Sequence, residues 1–414
     1  MRIAIVATGD ELLTGEIVDT NTPWLADRLF RSGVVPTVHK TIGDDVGQIR
    51  EALREVARTC DAAVFSGGLG PTDDDLTVAA VAAELEVEVV THEESLARAR
   101  RLMAEHGVAF TENNARQALV PAGTTVLQNP AGLAPGFQVT LDGCDLWFLP
   151  GVPVEFKALC ERDVLPALLE RAGDLGGISS RVFKMAAVPE SHLARAVEPL
   201  VARYPEVRFG YRAAYPEVWF KALVRAGDPV RASAVITEIS SSLMATFGDR
   251  ILGTDDETLE EVVNKLLGRR GLTLSTAESC TGGLVGGMLT AVPGSSDVYV
   301  GGGITYSNAL KIHLLGVPEA LLEEHGAVSE ECARAMAEGA RRRFGSDLGL
   351  SVTGIAGPAG GSAETPVGLV HFGLATPAGT LHKQRLLQPP RNTIRRGAAW
   401  VALNMVRLWL LGGG

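Results

Sequence analysis

The fold of the last third of the chain is decided at residues 272–283, which read L-T-L-S-T-A-E-S-C-T-G-G. The apolar run Leu272–Thr276 predicts a buried strand, and the glycine turn predicts the start of a helix over Thr281–Ala291. Short apolar strands separated by helices are typical of an α/β fold, in which a parallel sheet is covered on both faces. In such sheets, ligands bind at the loops beyond the carboxyl ends of the strands.

The same alternation begins at the first residues and predicts a second α/β domain. Its strands Ile3–Thr8, Ala62–Phe65 and Leu146–Leu149 each run into a loop that contains glycine. Helices are predicted over Thr22–Arg31, Val46–Thr59, Asp74–Leu85 and Glu155–Arg171. The first domain is therefore expected to have the same general architecture as the last.

Between these domains, residues 181–252 read strand, helix, strand, strand, helix after a predicted linker at Gly173–Gly177. This order is KH-like but lacks the G-x-x-G clamp that binds a nucleic-acid backbone, which favours a spacer or a dimerisation module. The predicted fold class is α/β, with two three-layer α/β domains (1–172 and 254–414) and a small KH-like α+β domain (173–253) between them.

Composition limits the classes of partner. The 414 residues carry a formal net charge of −11, which argues against broad electrostatic binding to nucleic acid or to an anionic membrane. No apolar run approaches the roughly 20 residues that span a bilayer. The five cysteines are scattered without a C-x-x-C pair, which fits a cytoplasmic protein and neither a structural zinc site nor a disulfide framework.

A nucleophile and a base can be assigned in the last domain. Ser279 lies at the predicted strand-to-helix turn, and a serine attacks a carbonyl only when a base takes its proton. Lys311 follows one strand later, and a lysine can lose its proton when it is desolvated. The N–H groups at the start of the following helix could form an oxyanion hole. The alternative is that Ser279 and Thr281 only cap the helix and that Lys311 lies at the surface.

Arg391, Arg395 and Arg396 flank the predicted start of the last helix, near Asn392. The amino-terminal end of a helix dipole is positive, so cations are unfavourable there unless an anion is also bound. A phosphate would resolve this conflict, because arginine binds phosphate in a forked geometry. The loop Gly354–Gly361 could hold a phosphate or sugar with backbone amides. Together these features predict a small phosphorylated substrate that is attacked at a carbonyl.

Four motifs resemble the carboxyl-terminal domain of the CinA family over about 257–412: A-E-S-C-T-G-G (277–283), T-Y-S-N-x-x-K (305–311), H-G-A-V-S (325–329) and S-x-T-G-I-A-G-P-x-G-G-S (351–362). That domain is a nicotinamide mononucleotide deamidase, so the resemblance implies hydrolysis of the nicotinamide carboxamide to the acid and ammonia, without a cofactor. It implies Ser279 as nucleophile, Lys311 as base and Tyr306 as a further catalytic residue. The implied substrate-binding residues are Cys280, Thr281, Gly282, Gly283, Asn308, Gly354, Gly357, and Arg391 and Arg395, one of which would hold the phosphate.

Three polar loops follow strands in the first domain: G-D-E-L-L-x-G-x-x-x-D-x-N (9–21), S-G-G-L-G-P-T-D-D-D (66–75) and P-G-V-P (150–153). Their glycines let the backbone approach a phosphate, and their carboxylates could hold a hard divalent cation. The three loops could converge on one ligand. The alternative is that Asp73, Asp74 and Asp75 only favour the start of the helix that follows them.

These loops resemble the molybdopterin-binding fold of molybdenum-cofactor biosynthesis proteins over about 1–170, and the whole chain resembles the full-length proteins of the CinA family. In that family the first domain is associated with metal-dependent ADP-ribose pyrophosphatase activity, which yields AMP and ribose 5-phosphate. Pro71 and Thr72 depart from the residues usual in the pterin proteins, which counts against pterin binding. The implied nucleotide-binding residues are Gly9, Asn21, Gly67, Gly68, Gly70, Thr72, Gly151 and Pro153, and the candidate ligands of a divalent metal ion are Glu11, Asp19, Asp73 and Asp75.

Three functions remain open. The first is a bifunctional pyridine-nucleotide recycling enzyme that acts on nicotinamide mononucleotide and ADP-ribose, as a homodimer by family analogy. The second is a deamidase whose first domain binds a nucleotide or pterin without catalysis. The third, an accessory protein of DNA uptake or repair, rests on the family's competence-related name. The acidic charge and the lack of a basic stripe interleaved with aromatic residues count against it.

Overall fold

A computed structural model describes residues 1–173, 177–186, 188–226 and 228–412. The first part of the chain contains strands β1 (Ile3–Thr8), β2 (Val38–Ile42), β3 (Ala62–Ser66), β4 (Val89–Thr91), β5 (Leu119–Pro121), β6 (Thr125–Leu127), β7 (Gly136–Leu141) and β8 (Cys144–Leu149). Six of them form one sheet in the order β2-β1-β3-β8-β7-β6, and β4 pairs with β5 separately. The predicted parallel pairing is confirmed from β2 to β8, whereas β7 and β6 are antiparallel.

Helices cover both faces of this sheet. They are α1 (Asp10–Thr14), α2 (Asn21–Arg31), α3 (Val46–Thr59), α4 (Thr77–Leu85), α5 (Glu93–Glu105), α6 (Glu112–Arg116), α7 (Pro153–Leu159) and α8 (Leu165–Ala172), with a π-helical segment at Cys160–Val164 between the last two. Side chains of β1 and β3 alternate between two hydrophobic cores, one shared with α3 and α4 and the other with α2, α7 and α8. This alternation is what a three-layer domain requires.

The middle segment contains, in order, β9 (Gly177–Ala186), α9 (Glu190–Arg203), β10 (Val207–Ala214), β11 (Glu217–Ala226), α10 (Pro229–Phe247) and β12 (Ile251–Thr254). Its sheet has the order β10-β11-β9-β12. The first five elements follow the predicted order, and β12 is an additional strand that was not predicted. Residues 174–176 of the predicted linker and residue 187 of the predicted strand Arg181–Val188 lie outside the described residues.

The last sheet carries strands β13 (Leu274–Glu278), β14 (Tyr299–Ile304), β15 (Leu348–Gly354), β16 (Leu369–Thr376) and β17 (Gly379–Leu386). Its order is β14-β13-β15-β16-β17, with the first three strands parallel and the last two antiparallel. Its helices are α11 (Leu259–Arg270), α12 (Leu284–Thr290), α13 (Asn308–Leu315), α14 (Glu319–His325), α15 (Glu330–Phe344) and α16 (Arg391–Gly412). One core holds α11, α12 and α16, and the other holds α13, α14 and α15, so the predicted α/β class is confirmed.

The chain's own contacts divide it into two units, Met1–Ser179 with Arg225–Ser233 and Ser180–Val224 with Ala234–Gly414. The three domains bounded at 172/173 and 253/254 stay a prediction. Within the described ranges, no helix is both long and apolar enough to cross a membrane.

Two helices begin three residues later than predicted. The helix expected from Thr281 begins at Leu284, because the two glycines before it adopt left-handed backbone angles that an α-helix excludes. The helix expected from Asp74 begins at Thr77. Asp73, Asp74 and Asp75 therefore precede the first helical turn. The carboxylate of Asp75 accepts hydrogen bonds from the backbone of its own loop.

Candidate functional site

The turn between β13 and α12 carries the candidate nucleophile. Ser279 directly follows β13, and its N–H donates to the carbonyl of Val352 in β15 at 2.9 Å. Gly282 and Gly283 have φ angles of 62° and 91°, in the region that favours glycine. The chain therefore turns without strain and leaves Ser279, 8% exposed, at the carboxyl end of the sheet.

A buried carboxylate, Glu278, holds this turn. Its two oxygens accept hydrogen bonds from the N–H groups of Gly283, Val285 and Gly286 at 3.0, 3.1 and 2.8 Å. These three N–H groups form the start of α12 and were predicted to form an oxyanion hole. That prediction is wrong for these three groups, because they bind Glu278 instead. The carboxylate also offsets the positive end of the helix dipole.

Lys311 lies in α13, and its side chain is only 1% exposed, so the alternative of a surface lysine is wrong. Its Nζ donates to the carbonyl of Thr305 at 2.9 Å and to Oγ of Ser279 at 3.3 Å. The fold thus brings the two predicted groups into contact across 32 residues of sequence. The Thr305 carbonyl fixes the direction from which the amine approaches the hydroxyl.

The surroundings of Lys311 favour a neutral amine. Burial lowers the pKa of Lys311, and the sulfurs of Cys332 and Cys280 act more weakly in the opposite direction. Burial raises the pKa of both thiols to about 11, so they stay protonated near neutral pH. Cys280 is therefore not a thiolate at that pH, and Lys311 is the candidate proton acceptor beside Ser279.

Two of the predicted arginines contact the loops around this pair. Arg395 donates to the carbonyl of Thr281 at 2.8 Å. Arg391, the first residue of α16, donates to the carbonyl of Gly357 at 2.7 Å and to the hydroxyl oxygen of Tyr306 at 3.2 Å. Two cations therefore lie at the start of a helix whose own dipole is positive there, a setting that favours a bound anion.

The other predicted residues take different positions. Tyr306 is 60% exposed, and Asn308 is the exposed first residue of α13, so both are accessible from solvent. Gly354 is the last residue of β15. Thr281 is fully buried, and its hydroxyl has no hydrogen-bond partner among the side chains that the structure describes.

Glu278 and Thr305 have contacts in this group that the sequence did not predict. The role of Glu278 could have been found from the sequence, because an acidic residue there ends an apolar strand and directly precedes a glycine turn. The amides that it binds all lie within the next eight residues. Thr305 contributes its backbone carbonyl, which every residue possesses, so its side-chain type carried no signal.

The first domain has a cavity of about 430 Å³ on which the three predicted loops converge. The predicted residues that line it are Gly9, Glu11, Asp19, Asn21, Gly67, Gly68, Gly70, Asp75, Gly151 and Pro153. Thr72 and Asp73 line a smaller cavity of about 200 Å³, together with Arg116. The larger cavity is therefore the candidate nucleotide site of this domain.

Asn21 joins the three loops. Its Nδ2 donates to Oγ of Ser66 at 2.9 Å and to the carbonyl of Gly151 at 2.8 Å. Its Oδ1 is buried and, in the described part of the chain, has no hydrogen-bond partner. A buried acceptor left unpaired costs about 1–3 kcal/mol, so a donor from a ligand or water is expected at this point of the cavity.

The four predicted metal ligands do not form one group. Asp73 pairs with Arg116 at 2.5 Å, Asp75 binds its own loop, and Asp19 accepts N–H groups at the start of α2. Across the described ranges, no three His, Cys, Asp or Glu side chains are grouped so that they could hold a metal ion. The predicted set does not fit a single metal centre, and we assign no reaction step to a metal.

Comparison with known proteins identifies the family. Residues 256–410 match "CinA C-terminal domain", and residues 4–170 match "Probable molybdopterin binding domain". A solved structure of the competence/damage inducible protein CihA from Agrobacterium tumefaciens is 44% identical, with a TM-score of 0.35, and the alignment covers 37% of this chain and 94% of that one.

Two relatives align along their whole length. A CinA-like protein from Anaeromyxobacter dehalogenans is 45% identical over 99% of this chain and 100% of its own. A CinA-like protein from Geobacter metallireducens is 40% identical over the same shares. Because the similarity covers 99% of this chain and 100% of each relative, the chain belongs to the CinA family.

Proposed function

We propose that this chain hydrolyses the carboxamide of nicotinamide mononucleotide to nicotinate mononucleotide and ammonia at the Ser279–Lys311 pair. The observation that carries the proposal is the 3.3 Å contact between the Ser279 hydroxyl and a buried amine whose pKa is lowered. A serine becomes a nucleophile when an adjacent base accepts its proton, and a desolvated lysine is such a base.

The reaction would proceed through an ester. Lys311 takes the proton of Ser279 as Oγ bonds to the carboxamide carbon, and it passes this proton to the leaving nitrogen, so that the carbon–nitrogen bond breaks with release of ammonia. Lys311 then takes a proton from a water molecule that attacks the ester carbon, and it returns this proton to Oγ as the carbon–oxygen bond to Ser279 breaks, which releases the acid and restores the serine. Arg391 and Arg395 are the candidates for the substrate phosphate, because both guanidinium groups contact the loops beside the pair.

The pH dependence of this reaction should report Lys311. The neutral amine is the base, so kcat/KM for ammonia release should rise about tenfold per pH unit on the acid side. Because burial lowers the pKa of Lys311, kcat/KM should reach its plateau at a lower pH than it would with a free lysine, whose pKa is about 10.4. Initial rates measured across the pH range provide the test.

The exposed lysine variant Lys265→Met is the control and should keep the same profile, because its ammonium group pairs with Glu257 away from Ser279. A rate that stays flat as the pH falls, or an acid limb that persists in the residual activity of Lys311→Met, would contradict the assignment of Lys311 as the base.

For the first domain, we propose hydrolysis of ADP-ribose to AMP and ribose 5-phosphate. The convergence of three glycine loops on one cavity supports this proposal, since backbone amides can bind a diphosphate there. Ile17 and Val18 line the same cavity and offer an apolar surface to a nucleobase. The buried, unpaired Oδ1 of Asn21 supplies an acceptor for a ligand hydroxyl.

Because the described carboxylates form no metal centre of their own, a divalent cation would enter this cavity together with the diphosphate of the substrate, and we expect it to stimulate the activity. Negative charge is crowded on one side of the cavity. Burial raises the pKa of Asp44, the hydrogen bond from the backbone N–H of Asp10 lowers it less strongly, and the charges of Asp10, Glu11 and Asp74 raise it further. A cation would offset both this repulsion and the charge of the diphosphate. We expect EDTA to lower AMP formation about tenfold or more and added Mg²⁺ or Mn²⁺ to restore it.

Ammonia release from nicotinamide mononucleotide in the same sample is the internal control, and it should be insensitive to EDTA. AMP formation that is unaffected by EDTA would contradict the cation dependence. A complete lack of AMP would leave the first domain as a nucleotide- or pterin-binding module, which is the second candidate function.

A further inference from the structure

A loop in the first domain is built around a carboxylate that the predicted site does not include. Glu155 lies in the first turn of α7, is half-buried, and lines the same cavity as the three glycine loops. Asn129, only 1% exposed, donates from Nδ2 to Oε2 of Glu155 at 2.5 Å. Asn129 is itself fixed, because Nδ2 also donates to the carbonyl of Ala134 and Oδ1 accepts from the N–H of Ala131.

Gly132 lies directly against that carboxylate. A Cβ placed there would lie 2.1–2.3 Å from Cδ, Oε1 and Oε2 of Glu155. Arg98 anchors the loop, since its guanidinium donates to the carbonyls of Gly132 and Pro130 at 2.6 and 3.2 Å. Asn129 and Gly132 of this loop thus lie against the carboxyl group of Glu155.

The surroundings of Glu155 suit a carboxylate that acts as a general base. Burial raises the pKa of Glu155, and this effect outweighs the hydrogen bond from Asn129 and the charge of Arg98, which lower it. A raised pKa brings a carboxylate closer to the pH at which the protein works, where proton transfer is most effective.

We propose that Glu155 is the general base for hydrolysis at the first-domain site, an inference that rests on the proposed ADP-ribose activity. Glu155 takes a proton from a water molecule as the water oxygen bonds to one phosphorus of the diphosphate. The bond from that phosphorus to the bridging oxygen breaks, and the bridging oxygen leaves with the electron pair on the second phosphate. AMP and ribose 5-phosphate result, and the proton on Glu155 passes to solvent.

A purely structural role for Glu155 leads to a different expectation. In the variant Glu155→Gln, the amide oxygen can still accept the hydrogen bond from Asn129, and the side chain keeps its length and shape. The loop at 129–134 should therefore remain in place. A glutamine cannot accept the proton of water, so only a role in proton transfer predicts a large loss of activity from this substitution.

The experiment measures AMP formation from ADP-ribose by the full-length wild type, Glu155→Gln and the matched control Glu161→Gln. Glu161 is an exposed residue of the following helical segment, where it contacts Arg28 at 3.8 Å. Glu155→Gln should lower kcat by about 10²–10⁴-fold with little change in KM, and the acid limb of the pH profile should disappear. The control should match the wild type, and all three proteins should unfold at similar temperatures.

The outcomes separate the two proposals. If the wild type forms no AMP from ADP-ribose, the proposed pyrophosphatase activity is overturned, and the role of Glu155 with it. If the wild type is active but Glu155→Gln keeps kcat within about tenfold, only the general-base role is overturned. The general-base role is also overturned if the pH profile of Glu155→Gln keeps its acid limb, or if the substitution changes KM alone.

Discussion

Replacing Ser279 by alanine is expected to lower kcat for ammonia release from nicotinamide mononucleotide by about 10⁴–10⁶-fold. Alanine removes the oxygen that would form the ester and leaves Lys311 without a proton to take. When a nucleophile and its base act as one unit, the loss of either costs about as much as the loss of both. The double variant Ser279→Ala/Lys311→Met should therefore be no slower than the single variants. Steady-state ammonia release measures the effect.

The matched control is Ser241→Ala, at an exposed position of α10 where the hydroxyl donates to the carbonyl of Thr237. This variant should keep wild-type turnover. Circular dichroism should show that Ser279→Ala is folded, because the hydroxyl is lost without a change in the backbone of the turn. Near-normal turnover in a folded Ser279→Ala protein would remove the nucleophile assignment.

Replacing Glu278 by glutamine should destabilise the nucleophile's turn by about 3 kcal/mol. A hydrogen bond to a charged acceptor contributes about 1.5–3 kcal/mol, and a buried N–H left without a partner costs about 1–3 kcal/mol. One accepting oxygen would become an NH₂ group that faces an N–H donor of Gly283, Val285 or Gly286. Hydrogen exchange at these amides should accelerate about 100-fold, which corresponds to a free-energy change of this size.

Glu323→Gln, at an exposed position of α14, provides the control and should leave the exchange of these amides unchanged. Unchanged protection of Val285 and Gly286 in Glu278→Gln would show that the carboxylate does not hold the turn. Because the measurement is local, it does not require the whole chain to unfold in a single transition.

Short-range patterns in the sequence predicted most of the fold. The helix expected over Val46–Thr59 has those bounds. The start of α12 was placed too early because residue types do not report the left-handed angles of Gly282 and Gly283. Helix α5 was missed, and its many charged residues leave only a narrow buried face.

The candidate sites were less predictable, because they depend on distances between segments that are remote in sequence. Asn21 and Gly151 are 130 residues apart, and nothing local to either residue indicates their hydrogen bond. Asp73 was a reasonable metal ligand until the fold placed Arg116 beside it. The role of Asn129 beside Glu155 depends on the burial of both side chains, which the polar residue types alone do not reveal.

The hydrogen bond from Lys311 to a backbone carbonyl affects how well the Ser279–Lys311 pair tolerates mutation. A side chain that steers a catalytic group can be deleted by a single codon change, but the carbonyl at position 305 survives every amino-acid replacement that preserves the backbone. A substitution of Thr305 can alter the packing around it, but the backbone carbonyl that accepts the hydrogen bond from Lys311 Nζ remains. Loss of this acceptor for Lys311 therefore requires a change in the backbone at position 305 and not only a change of side chain.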